Sequence, residues 1–418
     1  MENTKKNYAL PIAIMFALFF SIAFVTGLQN PFGVIIKNQF GASDFLSQLG
    51  NFANFIAYAC MGIPAGYMLE KIGYKKTALW AVVIGFVGVG ITFLSGKAQS
   101  FGIYLGGAFI SGFSMCMLNT VVNPMLNTLG GGGNKGNQLI QLGGSCNSLA
   151  ATIVPVLAGY LIGEVTEKTQ VADVNPALFI AMGIFALAFV IILFSAIPEP
   201  ELEAAAAEGN VAKEGTIASI KGALSYKNLV FGIIAIFLYV GIEVGIPNVA
   251  NLYMTSADGL GIAAGVAGSL VGAYWFLMLC GRLVGGAIGA KVSSRAMMTF
   301  VSSAAIVFVL LGMFLPETMT MSLLDAQVPV GMVFFVLCGL CTSIMWGAIF
   351  NLAVEGLGKY TSIASGLFMV MVCGGGLLPL LQGFVADKAG YIVSYWVIIA
   401  ALAYTLWFAL VGSRVNKK

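Results

Sequence analysis

The chain has no histidine, and only 9% of its 418 residues are charged. Lacking histidine, it lacks the commonest metal ligand and the side chain that most readily moves a proton near neutral pH. So little charge excludes an ordinary soluble domain, where about a quarter of residues are ionisable. Polar stretches are scarce as well, and the longest runs from Glu199 to Asn228. No nucleophile–base set is visible, so the chain does not read as an enzyme. Gly130–Gly136, GGGGNKG, lacks the Gly-Lys-Ser/Thr order of a phosphate loop, and no nucleotide, metal or other cofactor is expected. The seven cysteines all lie in apolar stretches. Cys338 and Cys341 form a CxxC, but on a helix in lipid they read as small packing residues, not a redox pair. A cleavable signal is not expected either. Met1–Lys6 is charged, and the apolar stretch after it outruns a signal peptide without a small-residue cleavage site.

What remains is apolar: 59% of residues are hydrophobic and the mean hydropathy is +0.95. A bilayer-spanning helix needs about 20 apolar residues. The sequence predicts twelve, at about 9–36, 46–69, 77–96, 100–127, 137–163, 176–197, 228–254, 262–289, 296–315, 328–352, 361–385 and 391–412. The expected fold is an all-α membrane protein of twelve transmembrane helices in two pseudo-symmetric six-helix bundles. Residues 1–198 form the first bundle, 199–227 a cytoplasmic linker with a short surface helix at Ile217–Ser225, and 228–418 the second bundle. An even span count puts both termini on one side. With the N-terminus in the cytoplasm, 15 Lys and Arg residues fall inside and 4 outside, with Arg282 in the membrane. This is the bias expected of cytoplasmic loops.

The two halves resemble each other at an offset of about 220 residues. Gly112–Gly130 matches Gly339–Gly358, Val154–Leu161 (VPVLAGYL) matches Leu378–Val385 (LPLLQGFV), and Gly62 and Gly66 match Gly281 and Gly285. Such a repeat is the mark of a two-fold-related transporter with its substrate near the bilayer midplane. The Gly281, Gly285, Gly289 series reads as small-xxx-small helix packing.

Only Glu243 and Arg282 carry charge well inside a span, and an intramembrane ionisable residue is a functional candidate by default. Pro247 follows Glu243 by four residues and cannot supply the N–H that would bond the Glu243 carbonyl, so a bend is expected there. Rise per residue sets Arg282 about 10 Å from Glu243 along the helix axes. Arg282 is therefore expected to act in helix packing or gating and not as the counter-ion. The remaining interior polar groups are neutral: Gln29, Asn30, Asn119, Asn123, Gln141, Asn147, Asn248, Asn251 and Asn351. Amides suit a neutral polyhydroxylated solute better than an ion, though they also glue membrane helices together. Asn119 and Asn123 share a face, as do Gln138 and Gln141, whereas Asn147 is rotated by about 120° from Gln141. Trp275 and Trp346 sit mid-span, away from the interfacial belts, where a flat ring can stack on a sugar. Tyr274 is a weaker candidate of the same kind.

The loop Gly66-Tyr-Met-Leu-Glu70-Lys71-Ile-Gly73-Tyr-Lys75-Lys76 resembles the signature of the major facilitator superfamily, which implies a charge-relay latch. The second half keeps only Lys291 and Arg295 of this pattern. Asn119-Thr-Val-Val-Asn123-Pro124, Tyr239-Val-Gly-Ile-Glu243, Gly281-Arg282, Ser343–Phe350, Gly374–Gly376 with Pro379, and Gly383–Asp387 together resemble the fucose/glucose/galactose permease branch. The resemblance covers nearly the whole chain. It implies import of a neutral monosaccharide across a bacterial inner membrane, commonly with protons. Fucose:proton symporters carry acids where this chain has Asn30 and Asn119, so coupling is expected at Glu243, with H+ as the coupling ion and Na+ as the alternative. An uncoupled carrier and a drug or lipid exporter are the other readings. The expected partners are a small sugar and the lipid bilayer. Nucleic acid is not expected to bind, and the chain is expected to be a monomer.

Overall fold

The computed structural model describes residues 8–27, 49–162, 170–199, 216–256, 259–323 and 326–415. Within them the apolar runs form twelve membrane-length helices: α1 (Ala9–Gly27), α2 and α3 (49–72 and 74–98, the two arms of Leu49–Ala98), α4 (Phe101–Leu129), α5 (Gly133–Ile162), α6 (Asn175–Phe194), α7 (Lys227–Thr255), α8 (Ala264–Ile288), α9 (Ser294–Phe314), α10 (Val330–Thr342 and Met345–Val354), α11 (Thr361–Val370 and Gly374–Ala389) and α12 (Tyr391–Trp407). Large apolar side chains point outward, including Phe194 at 83% exposure and Phe300 at 74%. Lipid would cover such surface, whereas water would not tolerate it in bulk. Hydroxyls inside the helices bond carbonyls one turn back, as Thr77 does to Gly73 and Thr120 to Cys116. That is the local solution available to a polar group without water.

The chain forms two compact units, each drawn mainly from one half of the sequence. The first holds residues 1–131, 146–223 and 358–370, and the second 132–145, 224–357 and 371–418. Two helices are therefore divided: α5 passes from the second unit to the first after Ser145, and α11 from the first to the second after Val370. These are the spans whose sequences match at VPVLAGYL and LPLLQGFV.

In the first unit α2 and α3 pack along α4, α3 also lies on α6, and the start of α11 lies on α2 and α4. Gly62 and Gly66 allow the α2–α11 contact, since a Cβ on Gly66 would stand 3.0 Å from the Gly366 Cα. Ser365 fastens the same part of α11 to α4 by donating to the Thr120 carbonyl at 3.1 Å. In the second unit α7 packs on α10, α11 and α12, and α8 on α10. A Cβ on Gly285 or Gly281 would collide with Ile344 or Ser343, so the matched glycine pair again marks a close approach.

The helices are less continuous than the sequence suggests. α10 is interrupted at Ser343–Ile344, α11 tightens into a short turn at Met371–Cys373, and α12 ends in a wider turn at Phe408–Gly412. Between α9 and α10, Thr320–Leu323 pairs antiparallel with Ala326–Pro329, a hairpin that hydropathy reads only as loop. The short linker helix Thr216–Leu224 is present.

Spans 2 and 3 are joined without an intervening loop. Helix runs up to both sides of Gly73, whose φ of 81° and ψ of −179° turn the chain between them. That backbone region is essentially reserved for glycine. The turn exposes the first N–H groups of α3, and Glu199 covers them: its carboxylate accepts from the Tyr74 and Lys75 amides at 2.7 and 2.8 Å. Replacing Gly73 with alanine should destabilise the protein by about 1–3 kcal/mol. A lowered melting midpoint in detergent is the expected reading, and an unchanged midpoint would show that the turn relaxes without strain.

Candidate functional site

Glu243 stands midway along α7, and the Arg282 Nη2 lies 3.6 Å from its Oε1. The expectation that Arg282 is not the counter-ion is therefore wrong. Helical side chains lean toward their own helix N-terminus. α7 and α8 are consecutive and antiparallel, and Arg282 sits farther from their connection than Glu243 does. Glu243 thus leans away from the connection and Arg282 toward it, so the two converge across the axial offset. The length of the arginine does the rest.

Pro247 lies within α7, which continues as one helix from Lys227 to Thr255. The carbonyl of Glu243, deprived of its usual partner by the proline, accepts instead from the Tyr274 hydroxyl at 3.2 Å. The same hydroxyl lies 3.0 Å from Thr342 Oγ1, the last residue of the first α10 segment. Tyr274 is 1% exposed, so it braces two helices here and offers no face to a sugar.

The interruption of α10 is held by side chains. Arg282 Nε donates to the Ser343 carbonyl at 3.2 Å, and Gln141 Nε2 donates to the Ile344 carbonyl at 2.8 Å. Arg282 Nη1 also reaches the Gly144 carbonyl of α5 at 3.0 Å. A Cβ on Gly347 would stand 2.7 Å from Gln141 Nε2, so that glycine keeps the amide's path open. Trp346 follows the interruption directly and meets the Tyr239 ring edge-on at 6.3 Å between centroids. Glu243, Arg282, Tyr239, Tyr274, Trp346 and Gln141 thus form one cluster. Of these, the sequence reading ranked Glu243, Arg282, Gln141 and Trp346 as site residues. It did not anticipate Tyr239, Ser343, Thr342 or Gly144. The signal for Tyr239 was its spacing, one turn before Glu243. The signal for the carbonyls was absent, because backbone acceptors carry no side-chain signature.

The other amides separate. Asn351 donates to Ser294 at 2.8 Å. Gln138 donates to the Gly286 carbonyl at 2.9 Å. Asn248 is exposed and Asn251 half-buried. Trp275 is 37% exposed, edge-on to Tyr274 at 5.3 Å. In the first unit Asn119 donates to the Tyr58 hydroxyl at 2.9 Å, and Asn123 donates to the Asn119 carbonyl at 2.8 Å. Asn147 donates to the Phe19 carbonyl of α1 at 3.1 Å. Gln141 and Asn147, rotated apart on α5, do serve different neighbours. Gln29 and Asn30 lie outside the described residues.

The loop after α2 works as a set of helix caps. Lys75 Nζ donates to the Leu193 and Ser195 carbonyls at the end of α6 at 2.9 and 2.8 Å. This reciprocates the Glu199 cap on α3 and matches charge to helix dipole at both ends. Glu70 lies 3.9 Å from Lys71 and accepts from Ser219 of the linker helix at 3.4 Å, while Lys76 is exposed. Gly66 and Gly73 serve packing and the turn, as described above. In the second half Ser293 caps α9 locally through the Ala296 amide at 3.2 Å. The start of α9 is therefore capped locally, without a remote acid. Glu199 had a legible signal: the start of α3, Gly73-Tyr74-Lys75, has no capping residue whose own side chain can accept from the helix amides.

A long polytopic helical chain with one buried ion pair beside helix interruptions has the construction of a secondary transporter. The family model for the Major Facilitator Superfamily matches residues 15–378, and the chain belongs to that superfamily. It is 28% identical to a glucose/galactose transporter of Brucella abortus biovar 1 (strain 9-941), covering 99% of this chain and 96% of the relative. It is 23% identical to the L-fucose-proton symporter of Escherichia coli (strain K12), covering 98% and 94%. A crystal structure of the E. coli fucose:proton symporter superposes with a TM-score of 0.83 at 21% identity, covering 98% of this chain and 100% of that one. The chain is thus similar to proteins of the glucose/galactose and fucose transporter kind within that superfamily.

Tyr274→Phe removes the hydroxyl that serves the Glu243 carbonyl. It should cost about 1–3 kcal/mol, the range for a buried polar group left unpaired. Differential scanning fluorimetry in detergent should show the midpoint fall, and a midpoint equal to wild type would mean that the carbonyl finds another donor.

Proposed function

We propose that the protein imports a neutral monosaccharide of the glucose, galactose or fucose kind by alternating access, with proton symport through Glu243. The observation that carries this reading is the cluster around Glu243. It holds the intramembrane carboxylate, paired with Arg282, in a chain whose full-length relatives are sugar transporters. The other interior polar groups among the described residues are mainly amides and hydroxyls, which match sugar hydroxyls in neutrality. Gln29, Asn30, Asn119 and Trp346 are the proposed sugar contacts. Both termini face the cytoplasm of a bacterial inner membrane, following the excess of Lys and Arg on that side.

A sodium-coupled or uncoupled carrier of the same fold is the second reading, favoured by asparagine at positions 30 and 119. Uptake of labelled glucose, galactose, fructose, mannose and fucose into sodium-free proteoliposomes under an inward proton gradient separates the readings. Accumulation of one sugar above its external concentration, abolished by a protonophore, is expected. Glu243→Gln should lose at least about ten-fold of that accumulation, a loss of about 1.4 kcal/mol or more of the sugar gradient, while equilibrium exchange of the same sugar persists. Accumulation that survives in Glu243→Gln would rule out this residue as the proton carrier.

A further inference from the structure

The seam between α7 and α11 buries a polar group that the coupling site does not use. The two helices run in parallel, with a close contact at each turn. A Cβ on Gly374 would run into the Phe237 carbonyl, one on Gly241 into the Leu378 side chain, and one on Gly245 would stand 2.6 Å from Gln382 Oε1. Gln382 is 0% exposed, and neither its Nε2 nor its Oε1 has a hydrogen-bond partner among the described residues. An amide buried in this way gives up its bonds to water without replacing them, which is costly. The packing does not call for an amide here. In the first half Val154 of α5 meets Gly27 of α1 as Leu378 meets Gly241, and the position matched to Gln382 is Ala158.

Gln141 shows what such an amide can do. It passes Gly347, where a Cβ would stand 2.7 Å from its Nε2, and donates to the Ile344 carbonyl three residues back at 2.8 Å. That carbonyl also accepts from the Ala348 amide at 3.1 Å. A carbonyl has two lone pairs, so it can take a second donor where a glycine leaves it uncovered. Gln382 stands at Gly245 as Gln141 stands at Gly347, and the carbonyl three residues back is that of Ile242. The difference is the atom presented. Oε1 faces Gly245, and an acceptor cannot bond a helix carbonyl. Two other side chains on this stretch of α7 are engaged: Tyr274 serves the Glu243 carbonyl, and Tyr395 donates to the Ile246 carbonyl at 2.9 Å. Pro247, two residues beyond Gly245, breaks the helical ladder and gives α7 a place to flex.

We propose that Gln382 is a positioning residue for transport: unpaired in this conformer, its amide turns over and donates to the Ile242 carbonyl in the alternate one. Its burial then opposes this conformer and is relieved when α7 shifts at Pro247. The proposal rests on the alternating access given to the protein above.

Gln382→Met keeps the length of the side chain and removes the amide. In the full chain in detergent it should raise the melting midpoint by about 2 °C or more. It should also slow deuterium exchange in peptides covering Gly241–Ala250 by at least about three-fold, because exchange there passes through the alternate conformer. A lowered midpoint would show that the amide is already bonded in this conformer, to backbone or to water, and would overturn the proposal. Unchanged exchange would overturn it as well. If the methionine variant does not fold, Gln382→Leu is judged in the same way, and loss of folding in both would mean that the amide supports this conformer. In proteoliposomes Gln382→Met should lower the maximal rate of net uptake at least about five-fold, with KM within about two-fold of wild type. A raised midpoint at an unchanged rate would make Gln382 a burden on the fold alone, and a raised KM at an unchanged rate would make it a sugar contact; either result overturns the positioning role. Wild type that moves no sugar would remove the transport reading, and the midpoint and the exchange rate would still decide whether Gln382 biases α7 between two conformers.

Discussion

Backbone polar groups in a lipid interior must find partners within the protein, and the distinctive features of this structure follow from where its helices fail to supply them. An uninterrupted helix needs no help. This chain breaks the helical hydrogen-bond ladder at Gly73, at Pro247 and at Ser343–Ile344, and each break is met by a side chain from elsewhere in the fold. Glu199 covers the amides after Gly73. Tyr274 takes the carbonyl that Pro247 orphans. Arg282 holds the Ser343 carbonyl at the α10 interruption, and Gln141 adds a second donor to the Ile344 carbonyl, which also accepts from the Ala348 amide. Asn228 does the same where α10 ends, donating to the Ala353 and Glu355 carbonyls at 3.0 Å.

These answers differ in the charge they use. Asn228 and Tyr274 are neutral, so their bonds do not depend on any protonation event. Glu199 and Lys75 are charged but sit at helix ends, where dipoles of fixed sign complement them. Arg282 alone among these answering groups combines a backbone role with a buried partner that can lose its charge. A structural requirement of the fold and a chemical state of the site meet in one guanidinium.

Much of this was legible in the sequence, and the limits have physical causes. Span positions follow from hydropathy because lipid imposes one requirement on every helix. The matched glycines at 62, 66, 281 and 285 were readable because close approach leaves a residue-type signature. The Glu243–Arg282 pair was missed because axial rise alone ignores the lean of helical side chains, which acts in opposite directions on antiparallel neighbours. The α10 interruption was missed because it contains no proline. Its sequence, Thr342-Ser-Ile-Met345, is compatible with a continuous helix, and its geometry is set by donors more than 50 residues away in the chain. The amides were visible as a set, but nothing in their spacing sorts a sugar contact from helix glue.

Their hydrogen-bond partners differ. Asn351, Asn147 and Gln138 each give an amide hydrogen to a hydroxyl or carbonyl of another helix, a bond that a sugar would have to displace. Asn119 gives its amide hydrogens to the Tyr58 hydroxyl and its own helix. Its amide oxygen remains the atom on which a sugar hydroxyl would act as donor. An acid at this position would present two acceptor oxygens and a charge; asparagine keeps one acceptor and discards the charge. Glu243, held against Arg282, carries within the second half the kind of charge that Asn119 lacks in the first.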